Sequence, residues 1–86
     1  MADMKKNRVA VDILGHSYKM VGTESVDHMR YVALLVDEKM REIKVHNPSL
    51  DINKLAVLTA LNVVNDYVLL QEKVEKLEQQ LNELKD

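Results

Sequence analysis

Residues 55–86, LAVLTALNVVNDYVLLQEKVEKLEQQLNELKD, carry apolar or small side chains at alternating steps of four and three: Ala56, Ala60, Val63, Tyr67, Leu70, Val74, Leu77, Leu81 and Leu84. Such a stripe, kept up for about four heptads with no Gly or Pro inside, predicts one long helix that must pair with another helix. Begun near Ser49, that helix is about 55 Å long at ~1.5 Å per residue. The preceding residues cannot cover such a length, so the far half needs a partner chain.

Past Leu70 only the stripe stays apolar; the positions between are Gln, Glu, Lys and Asn. With Leu70 at d and Val74 at a, Lys73 at g and Glu78 at e face each other across chains in a parallel two-stranded coil, each exposed pair contributing about 0.2–0.5 kcal/mol. A β-branched Val74 at a beside Leu77 at d favours two strands as well. The first half, 55–70, carries a second apolar stripe, Val57, Leu61, Val64 and Val68. That face is expected to roof the rest of the head, leaving the Ala56, Ala60, Val63 and Tyr67 face to a second chain.

Working back from this helix, Pro48 excludes helix from the residue before it, so an earlier helix ends near Asn47. Met29, Val32, Ala33, Val36, Met40 and Ile43 make its buried stripe, and Arg30, Asp37, Glu38, Arg41 and Glu42 its wet side. Thr23 or Ser25 suits the N-cap of a helix over about 25–46, and Ser49 or Asp51 that of the long helix. Asn62, set among apolar neighbours, is expected to tie the head to the long helix through its amide. Met4, Met20, Met29 and Met40 are expected in the core or the tail.

Residues 8–22 alternate apolar and polar on both sides of Gly15-His16, which reads as a β-hairpin with a two-residue loop, glycine first, of type II′. That register sets Leu14 opposite Ser17, Ile13 opposite Tyr18, Asp12 opposite Lys19 and Val11 opposite Met20. One face then holds Val9, Val11, Ile13, Tyr18 and Met20. A lone hairpin is marginal, so helices must cover this face. The expected fold is α+β: a flexible N-terminus at 1–7, a head at 8–69 and a coiled-coil extension at 70–86.

The 86 residues include three tyrosines, no Phe or Trp and no Cys, with 30% charged side chains and a net charge of −2. A core of Leu, Val, Ile and Met alone in so short a chain is expected to need oligomerisation. No thiol chemistry or disulfide framework is available, and the balance of charge leaves no electrostatic footprint for nucleic acid. No apolar segment of signal-peptide type follows 1–7, and the apolar run 55–70 is broken by Thr59, Asn62, Asn65 and Asp66, so neither export nor membrane insertion is expected. The cytoplasm is the expected setting.

His16, His28 and His46 share no metal-ligand spacing, and Asp37, Glu38 and Glu42 read as a solvated helix face. Gly15 and Gly22 punctuate strands and form no phosphate loop. No enzyme, cofactor or small-molecule substrate is expected.

Along the chain, Lys6-Asn7-Arg8-Val9 leads to Val11-Asp12-Ile13-Leu14-Gly15. Val21-Gly22-Thr23-Glu24, Val36-Asp37-Glu38-Lys39-Met40 and Asn47-Pro48-Ser49-Leu50-Asp51 follow, and then 55–62, LAVLTALN. The ordered set, with its spacings and over nearly the whole chain, resembles the ZapA family of cell-division proteins in its short, Gram-positive form. The resemblance implies a protein that binds the tubulin-like division protein FtsZ and bundles its filaments to promote Z-ring assembly at midcell. It implies an intertwined dimer joined through the long helix, and a tetramer of two dimers whose rods meet antiparallel. It also implies an FtsZ-facing surface on the head, toward the hairpin turn and the start of the long helix. The matching positions are His16, Asn53 and Leu58. Longer relatives carry a basic residue after the turn glycine, whereas this chain carries His16, so the resemblance does not extend to a charge-based contact there.

The alternative is a coiled-coil adaptor of the same build for another cytoplasmic protein, separable by an FtsZ-binding test. A nucleic-acid regulator would need a basic face with several phosphate contacts, which a salt-dependent gel shift detects.

Overall fold

Strands β1 (Asn7–Ile13) and β2 (His16–Gly22) form an antiparallel hairpin followed by helices α1 (Val26–His46) and α2 (Ile52–Lys85) in the computed structural model, which describes residues 5–85. Asn7, at the end of the stretch expected to precede the fold, opens β1, and its side-chain amide donates to the Glu24 carbonyl at 2.7 Å. Residues 1–4 of that stretch, Met4 among them, lie outside the described residues.

The hairpin register differs from the expected one. Ile13 pairs with His16, Asp12 with Ser17, Val11 with Tyr18, Ala10 with Lys19 and Val9 with Met20, so the loop is Leu14-Gly15 and not Gly15-His16. Both loop residues are left-handed, Leu14 at φ 50° and Gly15 at φ 79°, as a type I′ turn demands. A leucine in that region costs roughly 1–2 kcal/mol. The compensation is tertiary: the Leu14 N–H donates to Asp37 Oδ1 on α1 at 2.8 Å. Asp12 and Lys19 are consequently not opposite each other. The face of Val9, Val11, Ile13 and Met20 is unchanged, because moving every partner by two residues preserves the alternation.

Helix α1 starts where Ser25 accepts the His28 N–H at 3.1 Å through its side chain and the Met29 N–H at 3.0 Å through its carbonyl. It stops at Asn47, whose side-chain amide donates to the Ile43 carbonyl at 3.0 Å just ahead of Pro48. Met29, Ala33, Met40 and Ile43 are its buried residues, Val36 is half-buried and Val32 faces outward. Asp51 caps α2, its carboxylate accepting the Lys54 N–H and its carbonyl the Leu55 N–H, both at 2.9 Å.

Two small clusters make up the core. Val9 and Val11 meet Met29 and Ala33, with Ile13, Met20 and Val26 against them. Met40 and Ile43 meet Leu55, with Ile13, Leu14, Val36, Ile52 and Leu58 against them. Ile13 joins the two, so the hairpin's turn end is where strand, α1 and α2 converge. The molecule measures 53 × 45 × 16 Å, its least dimension little more than a single helix with side chains, ~10–12 Å across. One chain is too thin to close a core around α2.

That thinness corrects the expected roof. Leu55 and Thr59 are the buried residues of α2, whereas Val57, Leu61, Val64 and Val68 stay exposed. The apolar contact of α2 with α1 is made by Leu55 against Met40 and Ile43, with Ile52 and Leu58 flanking it. Asn62 is exposed too: its amide donates to the Leu58 carbonyl at 2.9 Å within its own helix and does not tie the head down. Thr59, the one buried polar residue described, is satisfied in the same way, its hydroxyl donating to the Leu55 carbonyl at 2.8 Å.

Candidate association surfaces

Every position of the heptad stripe is exposed. Ala56, Ala60, Val63, Tyr67, Leu70, Val74, Leu77, Leu81 and Leu84 all stand on the solvent side of α2, and among the larger ones exposure runs from 45% at Val63 to 82% at Leu84. A row of this length left wet is a candidate association surface, since isolated exposed apolar residues are common but contiguous rows are not. Its local shape fits helix pairing. Tyr67, Leu70, Gln71 and Val74, at spacings i, i+3, i+4 and i+7, rim a shallow hollow with Glu75 beside it. Four residues in that arrangement make the hole that receives a knob from a facing helix. Gln71 Nε2 donates to the Tyr67 hydroxyl at 3.1 Å and steadies one side of the rim.

A second surface lies at the start of α2. Leu50, Asn53, Lys54, Val57, Leu58 and Leu61 line an open groove of about 470 Å³, almost wholly apolar. The residues from Asn53 to Leu61 step by three and four along α2, so one helical face forms the floor, with Leu50 just ahead of the helix. Asn53 also borders a neighbouring hollow with Ile13, Tyr18, Val36, Met40, Ile52 and Ala56. Asn53 thus stands on the ridge between two apolar depressions. Leu58 is half-buried and divides itself between the groove and the Met40, Ile43 and Leu55 cluster.

His16 is exposed and is the first residue of β2, across the ladder from Ile13. Ile13 and Leu14 pack with Ile52 and Leu58 on one cluster, which brings the hairpin's turn end and the first turns of α2 to the same side of the head. Asn53 and Leu58 share a groove that His16 does not line. Val57 and Leu61 line the groove from the second apolar stripe of 55–70, and Leu50 joins them from outside that pattern.

Asp37 was read as a solvated face residue; it holds the turn. Its Oδ2 accepts Arg41 Nε at 2.8 Å while Oδ1 accepts the Leu14 N–H. The Arg41 hydrogen bond first, then the backbone hydrogen bond, draw the Asp37 carboxyl below its ordinary value, and the same contact raises Arg41. The two helices are linked to each other by the exposed pair Lys39 and Asp66 at 3.8 Å. Among the described residues no three or more His, Asp or Glu side chains gather where they could hold a metal ion, and no helix is long and apolar enough to cross a membrane.

Residues 9–86 match the family described as Cell division protein ZapA. Cell division protein ZapA of Bacillus subtilis (strain 168) is 66% identical over 83 residues, covering 96% of this chain and 98% of the relative. That of Geobacillus sp. (strain WCH70) is 57% identical over 86 residues, covering 100% and 99%. A solved structure, a ZapA mutant dimer from Geobacillus stearothermophilus, superposes with a TM-score of 0.74 at 45% identity and covers 95% of each chain.

Proposed function

The chain belongs to the ZapA family of cell division proteins, and from that premise we propose that it binds FtsZ and cross-links its filaments, promoting Z-ring assembly at midcell in the cytoplasm. The observation that carries this reading is the exposed heptad row from Ala56 to Leu84, with a knob-receiving hole at its middle. In this reading the row closes a dimer, the 8–69 heads face the filament, the 70–86 extensions hold the rods together, and two dimers associate through their rods. The solved ZapA dimer of the same fold supports the pairing.

The mechanism is multivalent attachment and requires no covalent chemistry. A helix of 34 residues spans about 50 Å at ~1.5 Å per residue, so it sets heads apart rigidly. A weak contact by one head raises the local concentration of the next head's site, and avidity exceeds either affinity alone. His16, Asn53 and Leu58 are the proposed FtsZ contacts: an exposed ring at the turn end, an amide on a ridge and a half-buried leucine in an apolar groove.

Low-speed co-pelleting of the protein with GTP-assembled FtsZ, with sedimentation mass recorded on the free protein, tests the proposal. FtsZ moving into the pellet, with a dimer or tetramer in solution, supports cross-linking. FtsZ left in the supernatant beside an intact oligomer overturns the choice of partner and leaves an adaptor for another protein.

A further inference from the structure

Two hairpin registers are open to residues 7–22, and hydrophobic patterning does not choose between them. A shift of every partner by two residues leaves Val9, Val11, Ile13, Tyr18 and Met20 on one face in both. Local chemistry favours the register that is not adopted. It sets Asp12 opposite Lys19, puts Gly15 first in the loop, and spares Leu14 the left-handed region. The adopted register places Leu14 at φ 50°, Asp12 opposite Ser17 and Ala10 opposite Lys19.

Long-range contacts at the turn oppose those local preferences: the Leu14 side chain packs against the Met40, Ile43 and Leu55 cluster, and its backbone is held from α1. The Leu14 N–H donates to Asp37 Oδ1 at 2.8 Å, and Arg41 Nε holds Oδ2 at 2.8 Å, which aims the carboxylate at the turn. We propose that Asp37 is a positioning residue: by capturing the Leu14 N–H it selects the adopted register, and so carries His16 out of the loop onto the ladder opposite Ile13, where it is presented to the partner. The presentation of His16 to FtsZ rests on the function proposed above; the selection of register does not.

The two registers are distinguishable in solution. Close Hα–Hα contacts fall between directly opposed residues that share no hydrogen bonds. With a two-residue loop these are Asp12–Ser17 and Ala10–Lys19 in the adopted register, and Ile13–Tyr18 and Val11–Met20 in the other. The experiment records these nuclear Overhauser contacts, and FtsZ affinity by co-pelleting, for the native protein, Asp37→Ala, and Asp37→Ala combined with Leu14→Asn. Asp37→Ala is expected to lose the Asp12–Ser17 contact and gain Ile13–Tyr18. If a tenth of the molecules keep the adopted register, affinity for FtsZ falls about tenfold, because only the competent fraction binds. Adding Leu14→Asn makes an Asn-Gly loop, which favours a type I′ turn without help, and should restore the Asp12–Ser17 and Ala10–Lys19 contacts while giving up the Leu14 packing on Met40, Ile43 and Leu55.

Retention of Asp12–Ser17 in Asp37→Ala overturns the proposal. Should that variant fail to fold, Asp37→Asn carries the test: its side-chain oxygen still accepts the Leu14 N–H, so it should keep Asp12–Ser17, and a shift to Ile13–Tyr18 there overturns the proposal equally. A native protein that leaves FtsZ in the supernatant refutes the function proposed above, while the Overhauser contacts still judge Asp37.

Discussion

Asp37, in the middle of α1, accepts the Leu14 N–H at 2.8 Å across a separation of 23 residues. This bond ties the hairpin's turn to the helix beneath it, and Arg41 steadies the same carboxylate at 2.8 Å. Both interactions strengthen with charge on Asp37, so the hairpin's placement is coupled to the ionisation of one group.

Stability should therefore fall in acid. The folded pKa of Asp37 is depressed, chiefly by Arg41 and next by the Leu14 N–H. The stabilisation is fully present above the ordinary carboxylate value near ~4 and is lost as pH falls below it through the folded value. Thermal midpoints of the native protein and Asp37→Asn, measured from neutral to strongly acid pH, should differ most at neutral pH and converge in acid. A constant difference would contradict the assignment.

Leu55 is 1% exposed and joins Met40 and Ile43 in the cluster that attaches α2 to the head. Leu55→Ala leaves a cavity and is expected to cost about 2–5 kcal/mol. In so thin a core that is a large share of total stability. Urea unfolding followed by circular dichroism gives the number, and a loss below ~1 kcal/mol would mean that the site collapses freely.

Replacing two seam leucines with charge, Leu77→Glu with Leu84→Glu, should lower the oligomer mass and abolish bundling. Each leucine forfeits about 1.5–3 kcal/mol of burial on association, and the carboxylates would have to leave water. Neither residue touches the head's clusters, so one-on-one FtsZ contact should persist. Sedimentation equilibrium decides it, an unchanged mass ruling out pairing through this row.

Ser25 supplies the cap of α1 through its side chain at 3.1 Å from the His28 N–H. Ser25→Ala is expected to cost about 1 kcal/mol. Ser25→Asp should retain the stability, since a carboxylate both caps and suits the positive helix end. Denaturant midpoints of the three proteins provide the comparison.

The sequence by itself determined what depends on near neighbours. A 3.5-residue period with no breaker dictates α2, Thr23 or Ser25 and Ser49 or Asp51 bracket the helix starts, Pro48 sets a stop, and strict alternation sorts Val9, Val11 and Ile13 from Arg8, Ala10 and Asp12. The exposed row from Ala56 to Leu84 was legible for the same reason, because a face is a matter of spacing along one helix. The tertiary structure alone decided which register the hairpin takes, since both registers bury the same side chains, and the adopted one hands the Leu14 N–H to Asp37 on α1. It also decided that α2 meets α1 along Leu55 and Thr59 while Val57, Leu61, Val64 and Val68 stay outside. Two apolar stripes on one helix state that both want cover. That a single chain covers neither stripe, and buries the Leu55 and Thr59 edge instead, depends on where α1 lies in space, and no period encodes that.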